Sequence, residues 1–72
     1  MYVVIEKMAH GLIRRYAPAK STQEAKERYA EATEQWNARG YPVLHNLQGQ
    51  GIILDALDQT IVGMLEIKEV NI

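Results

Sequence analysis

Residues 21–40 read STQEAKERYAEATEQWNARG, and the assignment of this block decides the fold on either side of it. Ser21 followed three residues later by Glu24 is a capping box, in which side chains satisfy the free N–H groups of a first helical turn. Gly40 supplies the stop, because glycine takes the left-handed backbone that closes a helix without a Cβ penalty. Between them lie mostly Ala, Glu, Gln, Lys and Arg, which lose little rotamer freedom in a helix. Ala25, Tyr29, Ala32 and Trp36 recur at helical spacing and form one narrow apolar stripe. Glu24 and Arg28 stand four apart in the favourable order, with Glu31 three further on. The spacing predicts a helix over 22–39.

The aliphatic residues are distributed around this helix rather than on it. The chain holds eighteen Val, Ile and Leu residues, and none falls between Ile13 and Val43. On the N-terminal side, YVVIEKM (2–8) and LIRRYA (12–17) have the β-branched and aromatic content of strands, and Pro18, which has no N–H, closes the second. Ala9-His10-Gly11 fits a three-residue hairpin loop with Gly11 at its left-handed position. That register sets Met8 opposite Leu12, Glu6 opposite Arg14 and Ile5 opposite Arg15. On the C-terminal side, residues 41–47, 51–56 and 60–70 read as three strands, joined by turns at 48–51 and 57–59. The fold class is therefore α+β: a single small domain over 1–72, in the order ββαβββ. It comprises a hairpin (2–17), a helix (22–39) packed on one face, and a β-meander (41–70), with a mostly antiparallel sheet.

Several strands are apolar on both faces, since successive side chains point to opposite sides. One helix covers one face. The expected consequence is a second apolar face, buried in a homodimer or higher oligomer, unless the sheet curls and closes on itself.

At 72 residues the chain is near the lower limit for independent folding, and it has no cysteine for a disulfide or a thiolate metal site. MYVVIEK meets Glu6 and Lys7 before a long apolar core develops, and no run is long enough to span a bilayer, so a cytoplasmic protein is expected. A net charge of −1 argues against general nucleic-acid binding. The charge is uneven, however. Lys7, Arg14, Arg15 and Lys20 against Glu6 leave residues 1–22 at +3, whereas Asp55, Asp58, Glu66 and Glu69 against Lys68 leave residues 40–72 at −3.

The residues offer little for catalysis. Ser21 is the only serine and its capping role accounts for it. His10 and His45 lie far apart without metal-ligand spacing. Asp55 and Asp58 bracket a turn, where aspartates bond to nearby backbone. QGQG (48–51) precedes a strand, whereas phosphate-cradling glycine loops open a helix. No enzyme, cofactor or metal is expected. The chemistry concentrates on the hairpin. Arg14 has Glu6 as its cross-strand partner, and Arg15, facing the other way, has none there. Lys7, His10 and Tyr16 share the hairpin, and Trp36 ends the helix stripe. Arg15, Arg14, His10, Lys7, Tyr16 and Trp36 are thus the candidate ligand- or partner-binding residues.

The run YVVIEK (2–7), a second strand, and STQEA (21–25) opening a helix resembles the first half of HicB-type antitoxins over about residues 2–39. The proline-glycine segment typical of that family before its helix is missing, and so is its DNA-binding part, so repression is not carried over. Two functions are expected. One is a small non-enzymatic inhibitor or adaptor that binds another protein, such as the host proteins targeted by phages and mobile elements in blocking defence. The other is an oligomeric binder that sequesters a small anionic ligand, for example a nucleotide signal, through the basic hairpin.

Overall fold

A computed structural model describes residues 1–70. The elements run β1 (Tyr2–Met8), β2 (Ile13–Arg15), α1 (Thr22–Ala38), β3 (Val43–His45), β4 (Gly51–Leu54) and β5 (Ile61–Glu69). This is the expected α+β order. One five-stranded sheet has the order β2-β1-β5-β4-β3, and every neighbouring pair is antiparallel. The first and last strands therefore lie side by side at the centre, paired from Tyr2↔Glu69 to Met8↔Gly63. The helix carries the chain from the β2 edge across one face to the β3 edge, and the meander then returns inward. Both edge strands are only three residues long, which limits the unpaired backbone open to strand addition. Among the described residues no helix is long and apolar enough to cross a membrane.

The hairpin register is as expected: Ile5↔Arg15, Glu6↔Arg14 and Lys7↔Ile13, with the Met8 N–H bonded to the Leu12 carbonyl at 2.8 Å. Gly11 takes φ +105°, the left-handed turn position that fixes this register. The second strand is shorter than the expected 12–17. Beyond Arg15, the Tyr16 N–H still reaches the Val4 carbonyl, but Pro18 has no donor and the Ala17 carbonyl instead accepts from Arg28. Pairing resumes as a single Tyr2↔Ala19 bridge.

At the helix start, Ser21 Oγ accepts from the Glu24 N–H at 3.2 Å. The returning carboxylate bond goes to the Lys20 N–H, one residue earlier than in the standard box. Gly40, at φ +90°, follows the Arg39 cap. Ala25 and Ala32 are buried, and their small side chains let the helix sit close to the sheet. Val4, Ala32, Ile53 and Leu65 form the centre of the core, and Tyr29, Trp36 and Tyr41 pack around it. The third strand, expected over 41–47, narrows to three residues because Asn46 turns the chain. Its Oδ1 accepts from the N–H groups of Gln48 and Gln50, and Gly49 takes φ +80°. Asp55 and Asp58 bond to the Leu57 and Thr60 N–H groups, as their turn positions imply.

The second face differs from the expectation of a uniform apolar patch. Val3 and Ile5 lie on it, yet they are only 7% and 6% exposed. Lys68 is paired beside Val3, and Arg15 beside Ile5. Their aliphatic stems flank these side chains while the charged ends reach water.

Candidate functional site

Alternation along β1 sends Val4 and Glu6 under the helix and Val3, Ile5 and Lys7 to the open face. The hairpin thus carries two separate assemblies.

Under the helix, Glu6 is the node. Its side chain is 1% exposed, on β1 between Ile5 and Lys7. Glu6 Oε1 accepts from Trp36 Nε1 at 2.7 Å and from the Tyr16 hydroxyl at 3.1 Å, and Arg14 Nε stands 3.6 Å from Oε2. Burial, and next the Glu6 carboxylate itself, push the Tyr16 phenol above its ordinary value, so it remains a donor. Trp36 is held further by an edge-on contact with Tyr41, ring centroids 5.4 Å apart, while the Arg39 guanidinium lies 5.3 Å from its own ring centroid. Three of the candidate residues, Arg14, Tyr16 and Trp36, are thereby engaged with one carboxylate that is closed to solvent.

On the open face, Lys7 Nζ lies 3.0 Å from Glu66 Oε1, and Gln50 Nε2 donates to Oε2 at 3.3 Å. The Lys7 bond leads the effects that hold the Glu66 carboxyl below its usual range. Arg15 instead lines a cleft of about 460 Å³ with Lys68, over a floor of Val3 and Ile5 and beside Tyr16, Pro18 and Val70. Neither Arg15 nor Lys68 has an ion pair among the described residues. His10 is exposed in the β1–β2 turn and joins neither assembly by a side-chain hydrogen bond or ion pair among the described residues.

A third corner was not expected from the sequence. Tyr29 Oη lies 3.0 Å from His45 Nδ1, above Gly51, where any Cβ would collide with the hydroxyl. Burial raises the Tyr29 phenol above its ordinary value, and the direction of its hydrogen bond with His45 follows the imidazole tautomer. Lys26, Gln48, Gln50 and Glu66 complete the rim of a cleft of about 480 Å³.

Of the three assemblies, the Tyr29–His45 pair alone sets a hydroxyl against an imidazole beside a cleft. Among the described residues there is no group of three His, Cys, Asp or Glu side chains that could hold a metal ion. Chemically, the Glu6 node can accept hydrogen bonds, and the Arg15–Lys68 cleft can hold an anion. Besides the Tyr29–His45 corner, two residues escaped the sequence reading. Lys68 reaches Arg15's cleft only through the β1–β5 pairing, for which no local pattern exists. The burial of Glu6 had a faint signal: Trp36 and Tyr16 each bring one polar hydrogen that needs an acceptor when buried.

No protein-family model, curated protein or solved structure matches the chain, so the likeness to HicB-type antitoxins transfers no residue role.

Proposed function

We propose that the chain is a non-enzymatic interaction protein that pairs with a second copy of itself and acts, as a dimer, by binding another protein as an inhibitor or adaptor. The observation that carries this reading is a row across the open face. Leu44 pairs with Ile52, and Ile52 with Met64, so one apolar line crosses β3, β4 and β5. No helix lies over this face, and Leu44 is 59% exposed. A domain of this size buries little apolar area for its length, and pairing two such lines across a twofold axis adds to it. Charged side chains belong to the neighbouring β1–β5 seam, where Lys7 and Glu66 already neutralise each other.

A separate apolar end supports the second partner. The β1–β2 turn and the β4–β5 loop lie at the same end of the sheet, since Met8 pairs with Gly63. Leu12, Ile13 and Ile61 are exposed there, and Leu57 is 97% exposed. Clustered exposed aliphatics of this kind mark contact surfaces more often than bare solvent-facing skin.

The test is the mass in solution by light scattering over a dilution series. The expected result is twice 8.2 kDa at high concentration, falling on dilution. Leu44→Asp, at a position exposed enough to spare the fold, should give the monomer throughout. A concentration-independent mass of 8.2 kDa for the parent chain overturns the proposal.

A further inference from the structure

The cleft between Arg15 and Lys68 has a composition that neither self-association nor the apolar end explains. Its floor is aliphatic: Val3 and Ile5 are almost fully buried, and Val70 and Pro18 continue the same wall. Its rim is cationic. Arg15 stands across β1 from the Lys68 side, in adjacent rows, because Ile5 pairs with Arg15 and Val3 pairs with Lys68. Each of the other basic side chains on the hairpin has a carboxylate: Lys7 has Glu66 and Arg14 has Glu6. Glu66, two residues before Lys68 on β5, is bonded to Lys7 at 3.0 Å and Gln50 at 3.3 Å, and Lys68 acts on it only through space. Among the described residues Arg15 and Lys68 are thus left without an ion pair beside an apolar floor, in about 460 Å³. That volume lies within the roughly 300–1,000 Å³ of small-molecule sites.

From this we infer that the cleft is a binding site for a small amphipathic anion, a carboxylate carried on an aliphatic stem. The guanidinium of Arg15 offers a planar fork that matches a carboxylate, and Lys68 adds a second positive charge. The stem lies along Val70, Pro18 and the aliphatic parts of the Arg15 and Lys68 side chains, with Val3 and Ile5 beneath, displacing water from aliphatic surface. A nucleotide fits less well: among the described residues the one aromatic at the cleft, Tyr16, is tied by its hydroxyl to Glu6, and Arg15 and Lys68 are the only cations there for a polyphosphate. The proposed dimer contact uses other residues, Leu44, Ile52 and Met64, although Met64 shares β5 with Lys68.

The experiment is a titration of the 72-residue chain, followed by the methyl NMR signals of Val3, Ile5 and Val70. Decanoate, below its micelle concentration, is compared with decanol and with acetate. Decanoate should shift these methyls saturably, with decanol at least about tenfold weaker for lack of the charge and acetate silent for lack of the stem. The variant Arg15→Gln with Lys68→Gln changes two exposed side chains and should keep the parent's methyl signals for the core residues Val4, Ile53 and Leu65. In it, decanoate should weaken to the level of decanol. Equal affinity for decanoate and decanol overturns the assignment. So does unchanged decanoate binding by the double variant, or shifts that map to Leu44, Leu57 and Ile61 instead.

Discussion

Replacing Glu6 by alanine tests the central polar contact of the domain. In the parent, one carboxylate, 1% exposed, receives Trp36 Nε1 at 2.7 Å and the Tyr16 hydroxyl at 3.1 Å. Alanine leaves both donors without an acceptor. An orphaned buried donor costs about 1–3 kcal/mol, and the half-buried Tyr16 belongs at the low end because water can reach it. Arg14, half exposed and 3.6 Å away, adds about 0–1 kcal/mol at most after screening. Against these losses stands the desolvation of the carboxylate, which is relieved when it is removed. The net expectation is a loss of about 3 kcal/mol. For a chain this short that lowers Tm by roughly 12–24 °C, at about 4–8 °C per kcal/mol.

Glu6→Gln keeps one acceptor oxygen and exchanges charge-assisted bonds for neutral ones, so it should lose only about 1–2 kcal/mol. Urea unfolding at fixed protein concentration gives the free energies, and the fluorescence of Trp36, the only tryptophan, reports on the contact itself. A double-mutant cycle of Glu6→Gln with Trp36→Phe should show a coupling of about 1 kcal/mol. An alanine variant within about 0.5 kcal/mol of the parent, together with an additive cycle, refutes the reasoning. An alanine variant more stable than the parent refutes it too, because desolvation then outweighs the hydrogen bonds.

Three further outcomes follow from single contacts. Gly51→Ala forces a methyl against the Tyr29 hydroxyl and to 2.9 Å from Val43 Cγ1, so urea unfolding should show a loss of about 1–3 kcal/mol, partly recovered by adding Tyr29→Phe. Thr33 Oγ1 is buried without a hydrogen-bond partner among the described residues, so Thr33→Val should raise the melting temperature by a few degrees, worth about 1 kcal/mol. Glu66 is held below its ordinary value of 4.5, chiefly by Lys7. A carboxylate lowered in the folded state contributes stability above its unfolded value, and that contribution is lost as pH falls through the folded one. Lys7→Met should therefore weaken the chain at neutral pH and flatten the decline in urea midpoint below about pH 4.5.

Local chemistry made the hairpin and the helix legible. Gly11 at a left-handed turn position fixed the pairing of Glu6 with Arg14 and of Ile5 with Arg15, and the period of two along a strand then separated the two arginines. Ser21, Glu24 and Gly40 marked the helix ends to within a residue. Strand order was not legible, because the β1–β5 contact joins opposite ends of the chain and no turn specifies it. Lys68 was hidden for that reason. Glu6 was hidden for another: a charge in a strand looks like a surface residue until the helix closes over its side of β1. The short edges had local causes, Pro18 after β2 and the Asn46 side chain after β3, but both compete with strand propensity and are hard to weigh in advance.

A sheet that is apolar on both faces and has one helix must close its other side by different means, and here the means change across the sheet. Over β1 and β2, long cationic side chains cover Val3 and Ile5, so burial there requires no partner and leaves charge at the surface. Along the seam to β5, Lys7 and Glu66 neutralise each other, so the seam adds little net charge to either side. Over β3 and β4, Leu44 and Ile52 have no lysine or arginine beside them in the ladder, only each other and Met64. Burying the charged half against another protein would mean desolvating Arg15 and Lys68 without carboxylates, a cost of several kcal/mol per ion. The uncharged half carries no such penalty. Charge placement thus divides the open face into an uncharged half, which the proposed self-pairing would use, and a cationic half, where the proposed ligand would bring its own negative charge.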